Sequence, residues 1–83
     1  MAIRLHPHAR ARLAERGATE AEVVATVSQG GTSPAKLGRT GFRRNFAFGA
    51  KWRGKYYANK PVIAYAVRER RDWLVITMIA KFF

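Results

Sequence analysis

Apolar residues return at two different periods along this chain, and the change of period divides it. Leu5, Ala9 and Leu13 recur every four residues, as on a helix buried along one face. Pro7 suits a first helical turn, where its missing N–H leaves no bond unmade, and Gly17 is a natural helix stop. Thr19-Glu20-Ala21-Glu22 then fits a capping box, opening a second helix with Val23, Val24 and Val27 on its apolar side. Gly30-Gly31 ends that helix. Residues 30–41, with four glycines and Pro34, are expected to form a loop.

Beyond residue 41 the period becomes two. Phe42, Phe46 and Phe48 share one parity, while Arg43, Asn45, Gly49 and Lys51 take the other, the pattern of a half-exposed strand. Trp52-Arg53-Gly54-Lys55 predicts a turn into Tyr56-Tyr57-Ala58, and Asn59-Lys60-Pro61 a second break. Val62 to Val67 and Leu74 to Ala80 are apolar on both parities, as in well-buried strands, and the charged stretch Arg68 to Asp72 joins them as a hairpin. This order predicts an α+β fold: two N-terminal helices packed on one face of a three- to four-stranded antiparallel sheet. At 83 residues, one domain over 1–83 is expected, with no internal repeat.

Charge adds what the pattern alone does not. Sixteen Lys and Arg stand against five Asp and Glu, a net charge of +11, while a hydrophobic share of 48% argues against disorder. Residues 36–60 concentrate the excess: Lys36, Arg39, Arg43, Arg44, Lys51, Arg53, Lys55 and Lys60, with no acid among them. A polyanion is the expected partner, and the middle of the chain is where it should bind. The absence of cysteine excludes disulfide scaffolds, thiolate nucleophiles and Cys-type zinc sites. His6 and His8 have few nearby carboxylates and make a poor metal cage, so no metal or other cofactor is expected. No apolar run approaches the ~20 residues of a membrane span, and the first residues lack the apolar stretch of a signal peptide. A cytoplasmic protein with no membrane partner is the expectation.

Three constellations could carry chemistry. His8, Arg12 and Arg16 stand four residues apart on the first helix and share one stripe. An imidazole beside two guanidinium groups could serve metal-independent RNA cleavage, moving the protons of the 2′-hydroxyl and the leaving 5′-oxygen while fixed cations stabilise the phosphate; the same stripe also fits a capped helix with solvated arginines. Gly38-Arg39-Thr40-Gly41-Phe42-Arg43-Arg44 could cradle phosphate with successive N–H groups and clamp it with three arginines, or be a basic loop with glycines for its turns. It is not a P-loop, since no Gly-Lys-Ser/Thr follows. Trp52-Arg53-Gly54-Lys55-Tyr56-Tyr57 interleaves rings and cations, as single-strand binding by base stacking requires, or else places Trp52 and one tyrosine in the core. Lys36 and Lys51 add to this candidate nucleic-acid surface. Trp73 and the Lys81-Phe82-Phe83 tail read as structural, and the acids form neither a hydrolase triad nor a carboxylate pair.

These motifs together resemble a family of small prokaryotic proteins defined only as a domain of unknown function. The resemblance rests on a His-x-x-x-Arg-x-x-x-Arg-Gly helix (His8, Arg12, Arg16, Gly17), a valine-rich second helix from Thr19 to Val27, a Pro-Ala-Lys-x-Gly-Arg-Thr-Gly-Phe-Arg-Arg-Asn-Phe stretch over 34–46, Trp-Arg-Gly-Lys-x-Tyr over 52–57, and Val75-Ile76-Thr77. It departs at Ala18 and Ala64, where larger residues are expected. The family is similar in layout to RelE-type and BrnT-type toxins, which are ribonucleases built of helices on an antiparallel sheet. That similarity implies an RNA-directed protein of a toxin–antitoxin pair, a metal-independent endoribonuclease with His8, Arg12 and Arg16 as its candidate catalytic residues. A non-catalytic nucleic-acid-binding module is the alternative from charge and aromatics alone. A third is an interaction protein whose basic face docks an acidic, antitoxin-like partner.

Overall fold

Pro7 decides how the chain begins. A residue before proline is pushed out of the helical region, so His6 is extended (φ −57°, ψ 144°) and Ile3–Leu5 forms a short strand, β1, rather than the start of the first helix. The computed structural model describes residues 2–83. Helix α1 (Pro7–Arg16) follows with proline in its first turn and ends at Gly17, whose φ of 72° is the left-handed cap a glycine adopts without strain. Helix α2 (Glu20–Gln29) opens on the expected capping box: Glu22 N–H donates to Thr19 Oγ1 at 3.1 Å and Thr19 N–H to Glu22 Oε1 at 2.9 Å.

Four more strands complete the chain: β2 (Gly31–Pro34), β3 (Thr40–Trp52), β4 (Lys55–Glu69) and β5 (Asp72–Ala80). They form one five-stranded sheet in the order β1-β5-β4-β3-β2. The fold is α+β with two helices, as the pattern predicts, but the sheet is larger than three to four strands and it is mixed. β1 runs parallel to β5, while all the other neighbours are antiparallel. Both extra strands lie at the edges and are too short for a period of two to register. Part of the expected 30–41 loop is β2, an edge strand where Pro34 is tolerated because no outer neighbour needs its N–H. The break expected at Asn59-Lys60-Pro61 is absent. β4 runs straight through it: Pro61 O accepts from Lys81 N–H at 2.9 Å, and Asn59 and Phe83 exchange the next pair of bonds, so the ladder spans the one missing proline donor.

Both helices pack on one face of the sheet. Ala9, Val23 and Val27 meet Leu5, Phe42, Val62, Ala64, Ala66, Val75 and Met78. Ala18 and Ala64, small where larger residues are expected, are both buried. Trp73 joins this layer edge-on to Phe42 (ring centroids 4.9 Å, 81°), in the structural role expected of it. The opposite face carries Arg43, Ile63, Tyr65, Thr77 and Ile79 by register, and no helix among the described residues covers it.

Candidate functional site

The five carboxylates are all engaged, and almost all with cations outside the basic middle of the chain. Glu69 and Asp72 share Arg4, at 3.0 and 4.0 Å; Glu20 pairs with Arg10, and Glu15 with Arg12 at 3.4 Å. Glu22 holds Lys60 at 2.7 Å. Lys60 is only 4% exposed, donates to Gly17 O at 2.9 Å and lies over the Phe48 ring. It is therefore a buried connector between the α1–α2 turn and the sheet, not part of a basic surface. Lys36, Arg39, Arg43, Arg44, Lys51, Arg53 and Lys55 have no carboxylate partner among the described residues.

The first-helix stripe winds into the protein. His8 is exposed, and its backbone N–H is capped by His6 Nδ1 at 3.1 Å. Arg12 is half-buried beside Glu15. Arg16, also half-buried, donates to the Met78 carbonyl at 2.7 Å. β1 pairs only with residues 73–75 of β5, so the edge of β5 beyond them has no strand neighbour, and Arg16 satisfies one of its carbonyls. The three residues share a stripe but not a pocket.

The arginine-rich stretch is split by strand alternation. Arg43 and Arg44 belong to β3, so their side chains leave opposite faces of the sheet. Arg43 is on the open face opposite Ile63, whereas Arg44 reaches Gln29 of α2 and lies over Phe46 on the helical face. A clamp of Arg39, Arg43 and Arg44 on one phosphate does not form. In the β2–β3 connection the Arg39 N–H is taken from the expected cradle. Ala35 N–H donates to Arg39 O and Arg39 N–H to Lys36 O, closing a turn in which Leu37 and Gly38 both have positive φ.

What the connection does form is a cleft of about 550 Å³ on the open face, lined by Ser33, Lys36, Leu37, Arg39, Tyr65 and Thr77 among others. Ser33, Gly41, Tyr65 and Thr77 make one cross-strand row over β2, β3, β4 and β5. The sequence reading missed Tyr65 and Thr77, because both lie in stretches apolar on both parities. What sets them apart is their register with Ser33 and Gly41, which only the strand pairing supplies.

The β3–β4 turn gathers Lys51, Arg53, Lys55 and Tyr56 at the end of the longest hairpin. Tyr56 is 60% exposed. Trp52, half-buried, packs within the chain. It stacks on Phe82 (5.2 Å, 8°), Arg53 lies over its ring, and its edge reaches Gly17. Arg53 also donates to Glu15 O at 2.9 Å, at the end of α1. Phe48 and Tyr57 complete the cluster around Phe82.

No group of three or more His, Asp or Glu among the described residues is arranged to hold a metal ion, and no helix there is long and apolar enough to cross a membrane. Comparison with family models, curated proteins and solved structures gives no match.

Proposed function

We propose that this protein binds single-stranded RNA, as an RNA-directed, toxin-like protein would, through the open-face cations Lys36, Arg39 and Arg43 and the hairpin-turn residues Lys51, Lys55 and Tyr56. One observation carries this reading: the carboxylates pair with Arg4, Arg10, Arg12 and Lys60, which leaves the cations of 36–55 without acidic neighbours. A polyanion gains most at such cations, because no internal ion pair has to be broken first. Exposed Tyr56, cross-strand from Lys51, adds a ring on which a base can stack, while Lys55 leaves the other face of the hairpin, over Tyr57.

The stronger claim, a metal-independent endoribonuclease of a toxin–antitoxin pair, has less support. Arg12 and Arg16 already hydrogen-bond within the chain, so His8 carries that reading alone. Fluorescence anisotropy with a labelled single-stranded oligoribonucleotide, run beside end-mapping of the same RNA, separates the two. Binding without fragments supports an RNA-binding module. Fragments that vanish in His8→Ala, with affinity unchanged, support the enzyme. No binding at low salt rejects both and leaves an acidic protein partner as the occupant of this surface.

A further inference from the structure

Gly41 is the second residue of β3, and its backbone has no positive φ that would call for glycine. Its missing side chain does something else. A Cβ there would meet Ser33 Oγ at 3.2 Å and Tyr65 Cε1 at 3.6 Å, so the bare backbone lets the tyrosine ring and the serine hydroxyl close over it as the bottom of the cleft. The hydroxyl residues Ser33 and Thr77 flank Tyr65 along the same row. At the rim are Lys36, Arg39 and Leu37, the last 83% exposed.

The volume of about 550 Å³ lies within the ~300–1,000 Å³ of small-molecule sites. The lining has a defined chemistry: an aromatic ring and aliphatic carbon for a flat apolar body, hydroxyls to hydrogen-bond its edge, two cations for an anionic group, and no carboxylate. A nucleotide has each complementary part. We propose that this cleft seats one nucleotide, its base against Tyr65 and within reach of the Ser33 and Thr77 hydroxyls, and its phosphate toward Lys36 and Arg39. In taking that nucleotide from a bound single strand, the proposal rests on the RNA-binding reading above.

The test compares an oligouridylate with an abasic strand of equal length, on wild type, Thr77→Val and Tyr65→Leu, with circular dichroism to check that each variant folds. Thr77→Val keeps shape and volume, so the test stands even if Tyr65→Leu unfolds. Wild type should prefer the oligouridylate at least tenfold. The preference should fall several-fold in Thr77→Val and further in Tyr65→Leu, to what stacking on Tyr56 alone supports, with abasic-strand affinity unchanged. Equal binding of both strands, or a preference undiminished in Thr77→Val, overturns the cleft proposal and leaves RNA binding through the phosphates standing. A further arm titrates uridine 5′-monophosphate while the Ser33 and Thr77 amide resonances are followed. If these shift although neither strand binds, the occupant is a free nucleotide and the RNA-binding reading falls. If neither strand binds and nothing shifts, both fall together.

Discussion

Two residues carry more of the fold than their types suggest. Lys60 is a buried cation whose ammonium joins Glu22, the Gly17 carbonyl and the Phe48 ring. Removing one partner of a buried pair leaves the other charge uncompensated, at a cost of ~3–5 kcal/mol. Glu22 is also held by Thr19 N–H, which places Lys60→Met at the lower end, about 3 kcal/mol of lost stability by urea denaturation. A change below half of that would show that Glu22 finds water instead. Gly30 is the second. Glycine-to-alanine changes outside helices often stabilise by ~0.4–1 kcal/mol through the unfolded chain. Here an added Cβ would lie 2.6 Å from the Arg43 carbonyl and also against that of Thr26, both backbone atoms that cannot rotate away. Gly30→Ala is therefore expected to destabilise, by about 1–3 kcal/mol, and a raised melting temperature would refute the contact.

At the scale of elements, the strand periodicity decides where the candidate residues lie more than the motifs do. Arg43-Arg44 looks like a phosphate clamp when read as a loop, yet as part of β3 it sends one guanidinium to each face. Capping residues made both helices legible: Pro7, Gly17 and the Thr19–Glu22 box act within a single turn and need no tertiary partner. The edge strands β1 and β2 were not legible, since their three and four residues are ordered by pairing with neighbours distant in sequence. The aromatic stretch at 52–57 left two roles open for Trp52. Phe82, thirty residues away, favours the structural role, because stacking against it takes one face of the indole. Trp52→Ala should thus cost ~2–3 kcal/mol of stability, below the ~3–5 of a fully buried ring, with RNA affinity changed less than threefold. Loss of affinity at full stability would return the ring to the binding surface.

For the whole molecule, net charge sets the strength of polyanion binding, and its distribution sets which cations contribute. Each phosphate neutralised on a single strand adds ~0.7 to the slope of log affinity against log salt. If about five of the cations between Lys36 and Lys55 take part, the slope should be roughly −3 to −4. Arg39→Ala and Arg43→Ala should each flatten it by ~0.7, since both cations lie on the open face or at its rim. Arg44→Ala should change it less, because that guanidinium is on the helical face with Gln29. Arg16→Ala provides the contrast. Its guanidinium is tied to the Met78 carbonyl, so the substitution should lower the melting temperature and leave the slope unchanged. If instead Arg16→Ala flattens the slope while Arg39→Ala and Arg43→Ala do not, the strand runs along α1 rather than over the open sheet face. A slope near zero in the wild-type chain would mean that phosphate is not what this surface binds.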